Sequence, residues 1–278
     1  MEGPFDFTLT GVLTSVANPL RDAGVGILTV STYDTDYVMV KQENIPKAVA
    51  ALEASGHSVR WVGSSFRMSV NDLQVLAERF RTAVEAAGTT IHVPLPRILI
   101  QRVPGVSVYD PDSNEITYPS WEETPVTGKA GQERAAFQTG EAITGQQFFA
   151  GQFRYFFVHE LSHWLQMQLP ARRELKKVQD KYSLEAQANR VAVAFLASLP
   201  EERGFMERTV ARFERLLAAK EKPLPEGESG RRYFNELYGK LGAEYPYFQY
   251  QMVLDAWRSP ARADWSKALE DLRDAPVQ

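Results

Sequence analysis

Two histidines four positions apart, His159 and His163, enclose Glu160 in the sequence His-Glu-Leu-Ser-His. Residues at this spacing in a helix lie one turn apart on the same face, so both imidazoles can bind a single zinc ion. Glu160 follows the first histidine and can reach a water molecule at that ion without being a ligand itself. The chain has only four histidines, so chance rarely produces this motif. The motif therefore predicts a Zn²⁺ site with Glu160 as a general base.

A catalytic zinc ion needs a third protein ligand, and Glu185 is the best-placed carboxylate in the sequence. It follows His163 by 22 residues, which leaves room for a turn at Pro170 and an antiparallel second helix. Asn189 comes one helical turn after Glu185, on the same face, where its side chain can hydrogen-bond a zinc-binding imidazole. Glu174 is the alternative ligand, although it lies close to the predicted turn. The expected ligand set is therefore the two histidines and Glu185.

The motif lies in a predicted helix, 146–169, that is apolar on nearly all sides. Such a helix belongs in a core, where two histidines and a glutamate are costly unless a partner such as a metal satisfies them. The polar stretch 119–145, rich in Gly and Thr, is expected to be a loop. The other predicted helices are 70–87 (capped by Ser69 and Asp72), 174–199, 205–220, 231–241, 247–257 and 265–272, and the predicted strands are 91–93, 97–101, 106–109 and 115–118.

The first 62 residues alternate between predicted strands and helices in the order β-α-β-β-α-β, which is the ferredoxin-like arrangement. The strands are 5–10, 25–31, 37–41 and 57–62, and the helices are 11–23 and 45–54. A Gly-Ser-Ser linker at 63–65 follows this module. We therefore predict an α+β chain of two domains: a ferredoxin-like domain at 1–63, and a mostly helical domain with a small sheet at 66–278.

Gly11 and two aspartates give the N-terminal module features that could hold a small zwitterion. Gly11 opens a predicted helix whose free N–H groups can hold a carboxylate. Asp34 or Asp36, between the two middle strands, can pair with an ammonium group. The alternative is that both aspartates simply build a tight turn.

Composition limits the classes of function. The 278-residue chain carries a net charge of −4, which argues against nucleic-acid binding through bulk positive charge. It has no cysteine, so any metal must be held by His, Asp or Glu. We find no apolar run long enough to span a membrane and no secretory signal at the N-terminus. The expectation is a cytoplasmic protein with neither a nucleic-acid nor a membrane partner.

The two motifs at 159–163 and 185–189 together resemble the two-helix zinc site of gluzincin-type metallopeptidases. They are also similar to the site of the ImmA/IrrE family, in which an apolar run after the second motif ends in Leu-Pro, as the stretch 190–200 does here. Two features differ, because Ser162 stands where the family has Gly and Pro200 falls later than in the family. The resemblance covers residues 70–200. It implies a zincin-like metallopeptidase domain with Glu185 as the third ligand and Asn189 beside the ligands.

The stretches 7–13 and 31–37 resemble the ACT domain, in particular the ACT modules of CASTOR-like amino-acid sensors. The resemblance implies a free amino acid bound between two copies, here near Thr10, Gly11, Asp34 and Asp36. Since the sequence shows one such unit, a second copy would have to come from another chain. A lone module also exposes a sheet edge that a partner normally covers. We therefore expect a homodimer through residues 1–62.

The sequence thus predicts a zinc-dependent metallopeptidase that hydrolyses a peptide or protein substrate by a metal-activated water, with an amino acid regulating it at the ACT module. The alternative is an amino-acid sensor, or a fusion, with a structural or idle zinc site. The sequence does not decide which residue stabilises the oxyanion of the reaction. The candidates for that role are Tyr245, Tyr247, Tyr250 and His92.

Overall fold

The structure is a computed structural model that describes residues 11–31, 36–41, 44–57, 59, 68–101, 107–169 and 180–274. The chain divides into two compact units, Met1–Ser64 and Ser65–Gln278. None of the helices within the described ranges is long and apolar enough to cross a membrane.

The N-terminal unit contains the four central elements of the predicted β-α-β-β-α-β order. They are α1 (Val12–Asp22), β1 (Ile27–Ser31), β2 (Asp36–Val40) and α2 (Ile45–Ala54). The two strands pair antiparallel, and Leu20, Val25 and Ala48 form the buried centre of the unit. The predicted strand 5–10 and most of the predicted strand 57–62 lie outside the described residues.

The second unit is mostly helical with one small sheet. Its elements are α3 (Val70–Ala86), β3 (Arg97–Gln101), β4 (Val108–Asp110), β5 (Glu115–Pro119), α4 (Val126–Gln138), α5 (Gly145–Gln166), α6 (Lys181–Ser198), α7 (Arg203–Ala218), α8 (Gly230–Leu237), α9 (Tyr245–Arg258) and α10 (Trp265–Asp274). The predicted helix 174–199 begins at Lys181 in the described part of the chain, and residues 170–179 lie outside it.

The sheet has the order β3-β5-β4, so β4 lies at one edge of it. β3 runs parallel to β5, and β4 runs antiparallel to β5. The predicted strand 91–93 is not a strand. Instead, the backbone N–H groups of His92 and Val93 donate to the side chain of Gln168, so a buried glutamine replaces a neighbouring strand as their partner.

The predicted loop 119–145 is wrong in its middle part, because residues 126–138 form α4. The reason is that α4 lacks a clear apolar stripe: Ala136 is its one buried residue, while Val126 and Phe137 are exposed. α4 is fixed to the start of α5, where the Glu133 carboxylate accepts the N–H of Gly145 at 2.7 Å. A side chain at position 145 would collide with Glu133, which explains the glycine.

Aromatic side chains connect α5, which carries the His-Glu-Leu-Ser-His sequence, and α6 to the rest of the unit. Phe80 of α3 is fully buried, and its ring meets those of Trp164 on α5, Phe195 on α6 and Trp265 on α10. α3 begins with the predicted capping box, in which Ser69 and Asp72 exchange hydrogen bonds. α5 and α6 are therefore anchored on several sides, which limits how far the side chains between them can move.

Candidate metal centre

Three side chains from α5 and α6 bring their donor atoms together inside the second unit. Nε2 of His159 lies 3.0 Å from Oε2 of Glu185 and 3.1 Å from Nε2 of His163. The third distance, between Nε2 of His163 and Oε2 of Glu185, is 3.5 Å. A tetrahedral zinc ion with bonds of about 2.0–2.1 Å keeps its ligand atoms roughly 3.3–3.4 Å apart. The three donors therefore have the types and the spacing of a zinc site.

Helix geometry and burial explain this convergence. His159 and His163 are one turn apart on α5, and their rings stand perpendicular with centroids 4.7 Å apart. His159 and Glu185 are both 2% exposed. Nδ1 of His159 is buried and has no hydrogen-bond partner among the residues that the structure describes, and the polar contacts of this imidazole to them are on the Nε2 side. A buried polar group satisfied on one side only is typical of a functional site.

Gln166 fixes the orientation of His163. Its Oε1 lies 2.9 Å from Nδ1 of His163, and its Nε2 donates to the carbonyl of Leu184 at 3.0 Å. Since the amide nitrogen is turned to a carbonyl, the amide oxygen must face the imidazole and accept a hydrogen bond from its Nδ1–H. His163 therefore carries its hydrogen on Nδ1 when neutral and has a lone pair on Nε2, where the other two donors lie. Sequence reasoning missed Gln166, although its position three residues after His163 is a usable signal.

The carboxylate of Glu185 accepts two further hydrogen bonds. Tyr238 donates its hydroxyl to Oε1 at 2.6 Å, and Gln249 donates from Nε2 to Oε2 at 2.9 Å. Tyr238 follows α8 directly, and Gln249 lies on α9. Sequence reasoning missed both residues, and nothing in the local pattern identifies them, because their contacts with Glu185 span 53 and 64 residues.

Asn189 is buried next to the centre, but its hydrogen bonds differ from the expected one. Its Nδ2 donates to Oε1 of Gln249 at 2.8 Å and to the carbonyl of Glu185 at 3.0 Å. Its Oδ1 accepts the hydroxyl of Tyr155 at 2.9 Å. Asn189 bonds neither imidazole, because α9 supplies a glutamine that takes its amide hydrogens.

Glu160 faces the same region from α5 without joining the donor group. It is 7% exposed, and its Oε2 accepts the backbone N–H of Tyr109, in edge strand β4, at 2.8 Å. Among the described residues, the cluster that could hold a metal consists of His159, His163 and Glu185. Glu160 therefore lies beside the three donors as a separate buried carboxyl group.

In each of these groups, burial and the neighbouring charges act on the pKa in opposite directions. Burial raises the pKa of Glu160, and the two imidazoles only partly offset it. Burial works against a charged His163, but the Glu185 carboxylate outweighs it and raises the pKa of His163 above its ordinary value. Burial also opposes ionisation of Glu185, yet the imidazoles hold the pKa of this carboxyl well below its ordinary range. His163 and Glu185 thus form an ion pair that a metal ion would replace.

A cleft of about 790 Å³ gives access to these side chains. Its lining includes Glu160 and all three donor residues, the edge strand β4, and aromatic side chains of α5 and α9. Among the described residues that line it, Lys181 is the one lysine or arginine, and Asp110 is the one carboxylate besides Glu160 and Glu185. This volume lies within the usual range of ligand-binding clefts.

Of the four candidates for oxyanion stabilisation, only Tyr245 lines the cleft. Its hydroxyl accepts a hydrogen bond from Gln249 Nε2 at 2.7 Å. Tyr247 packs in a separate cluster, and Tyr250 stacks on Phe213 with ring centroids 4.2 Å apart. His92 is also outside the lining of the cleft.

The predicted amino-acid-binding residues are only partly within the described chain. Gly11 precedes α1 with φ of 84°, a left-handed conformation that favours glycine, and its carbonyl accepts the N–H of Ser15. Asp36 opens β2 opposite Ser31 of β1. Thr10 and Asp34 lie outside the described residues, as does the alternative ligand Glu174.

Comparison with known proteins gives one finding, which concerns the N-terminal unit. Residues 1–54 match the family model of the ACT domain, in agreement with the resemblance carried by 7–13 and 31–37. No curated protein and no solved structure matches the chain.

Proposed function

We propose that the second unit is a zinc-dependent metallopeptidase. The observation that carries the proposal is the placement of three suitable donors and a separate buried carboxylate along one cleft. A purely structural zinc site is normally closed by four protein ligands. It also has no need of a buried carboxylate such as Glu160 that lies beside the ligands without joining them. Three protein ligands leave a position for substrate or water, which is typical of catalytic zinc.

In the proposed mechanism, His159, His163 and Glu185 hold the ion. Zinc, when bound, supplies a Lewis acid that polarises a peptide carbonyl and makes water more acidic. Glu160 accepts the proton of the attacking water and returns it to the amine that leaves. Its raised pKa suits both roles, because a carboxyl that holds a proton more readily than usual accepts it in the first step and can donate it in the second.

The proposed electrophilic partner of the carbonyl oxygen is Tyr245. Its hydroxyl accepts from Gln249 and also hydrogen-bonds the Glu185 carboxylate, so it would donate to a substrate carbonyl in place of that carboxylate. It lines the cleft on the side of α9, while Glu160 lines it from α5. A donor and a base on different walls can address the two ends of a scissile carbonyl at once.

For the N-terminal unit we propose binding of a free amino acid that regulates the second unit. The match of residues 1–54 to the ACT domain supports this part. The same match also favours the second candidate function, in which the chain is an amino-acid sensor and the metal centre is structural or idle. The two candidates differ in one observable, which is peptide-bond cleavage.

The test is a cleavage screen on the zinc-loaded full-length protein with a proteome-derived peptide library. His159→Ala, which removes a ligand, is the negative control. We expect cleavage by the parent protein that stops when a chelator is added and returns with zinc. Addition of each of the twenty amino acids then tests regulation. If the parent protein holds zinc but cleaves nothing, with and without amino acids, the sensor replaces the peptidase as the proposed function.

A further inference from the structure

We propose that Gln249 and Tyr238 are positioning residues that hold Glu185 in the orientation of a metal ligand. The inference rests on the metal centre of the proposed function but not on peptide hydrolysis. It starts from the observation that both oxygens of this buried carboxylate accept a hydrogen bond from outside α5 and α6. The two donors come from the C-terminal part of the chain.

The orientation of the Gln249 side chain is determined by its neighbours. Asn189 donates to Oε1 of Gln249, and Asn189 is itself fixed because its Oδ1 accepts from Tyr155. With Oε1 occupied in this way, the amide nitrogen of Gln249 must face Glu185 and Tyr245. A flipped amide would place an oxygen against the Glu185 carboxylate and its nitrogen against the Asn189 nitrogen. The series of hydrogen bonds from Tyr155 through Asn189 to Gln249 therefore allows one orientation of the Gln249 amide, in which its nitrogen donates to Glu185.

Tyr238 and Gln249 donate to different oxygens of the Glu185 carboxylate. Tyr238 occupies Oε1, which turns Oε2 toward the imidazoles at 3.0 and 3.5 Å. Gln249 donates to Oε2 as well, and an oxygen with two lone pairs can accept this bond and still bind a metal. The arrangement presents a single oxygen to the ion and keeps the side chain from rotating away.

Loss of a side chain that orients a metal ligand typically costs about 10- to 100-fold in metal affinity. Gln249 is 1% exposed, and the hydrogen bonds of its amide are made with protein groups. We expect Gln249→Met, which keeps the length of the side chain and removes the amide, to weaken zinc binding by this factor. Tyr238→Phe removes one hydroxyl from the cleft wall and is expected to weaken zinc binding about 10-fold.

The experiment measures zinc affinity of the full-length protein by competition with a chromophoric chelator. It also records the visible absorption spectrum of the cobalt-loaded protein, which reports the geometry of the ligands. Gln251→Met and Tyr247→Phe are matched controls, since these residues bond each other at 3.1 Å and are outside the cleft lining. The controls should keep both the affinity and the spectrum of the parent protein, whereas Gln249→Met and Tyr238→Phe should change both.

Parent-like affinity and an unchanged cobalt spectrum in both Gln249→Met and Tyr238→Phe would overturn the inference and leave the zinc centre intact. If the parent protein itself binds no zinc, the inference fails together with the proposed function. Circular dichroism of each variant shows whether it is folded. Should Gln249→Met not fold, Tyr238→Phe decides the matter alone, because removal of one hydroxyl leaves its ring packing in place.

Discussion

Glu160→Gln separates a missing base from a missing metal. The glutamine has the shape of the glutamate, and its amide oxygen can still accept the N–H of Tyr109 in β4. Burial raises the pKa of Glu160, so the ionised carboxylate destabilises the fold once the pH exceeds its unfolded pKa. The neutral amide removes that cost. We expect an unfolding free energy at pH 7 equal to or above that of the parent, with zinc content unchanged.

The activity of Glu160→Gln should nevertheless fall strongly. General-base catalysis contributes about 10²- to 10⁴-fold, which corresponds to roughly 3–5 kcal/mol of activation free energy. The assay is the initial rate of cleavage of a quenched fluorescent peptide chosen from the library screen, with zinc measured in the same samples. The reduced rate should not recover on addition of zinc.

The control for this measurement is His159→Ala, which should lose activity and zinc together. A Glu160→Gln protein that cleaves at the parent rate would refute the role of Glu160 as the base. A Glu160→Gln protein that loses its zinc would also refute the reasoning, because the carboxylate would then be a ligand rather than a neighbour of the ligands.

Three further predictions follow from the fold and from the charges of the site. Phe80→Ala should lower the free energy of unfolding of the second unit by about 3–5 kcal/mol in urea titrations, because a fully buried ring is removed, while Val75→Ala on the exposed side of α3 should change it by less than about 0.5 kcal/mol. Burial opposes protonation of His163, but Glu185 raises the pKa of this imidazole, so zinc must displace a proton from it. Chelator competition should therefore show a zinc affinity that rises about tenfold per pH unit below that pKa and levels off above it. A zinc affinity that does not depend on pH would contradict the ion pair between His163 and Glu185. Light scattering should show a homodimer formed through residues 1–62, and a monomer at high concentration that no amino acid alters would count against an assembled ACT module.

The helices that carry the three candidate donors follow directly from local sequence. The predicted helix 146–169 corresponds to α5, and the cap of α3 at Ser69 and Asp72 is present as expected, because both depend on residues within a turn of each other. α4 was missed because its polar residues and glycines conceal a helix that buries only Ala136. Periodicity detects a helix through its apolar stripe, and this helix has almost none.

The residues around the three candidate donors are harder to predict from the sequence than the donors themselves. The two histidines are linked by helix geometry, and Glu185 by the return of a second helix. Gln249 reaches Glu185 across 64 residues of sequence, a contact that depends on how α9 packs on α6. The same packing gives Asn189 a glutamine partner in place of an imidazole. Such contacts are decided by tertiary structure, and no spacing rule in the sequence encodes them.

We propose that His159, His163 and Glu185 form one zinc centre, and the metal content of the purified protein reports on this directly. We expect about one zinc per chain in the parent protein and none in Glu185→Ala, because two imidazoles alone do not retain the ion. Glu174→Ala is the matched control and should keep its zinc. The proposed ligand set would be wrong if the parent protein held no zinc, if Glu185→Ala retained zinc, or if Glu174→Ala lost it.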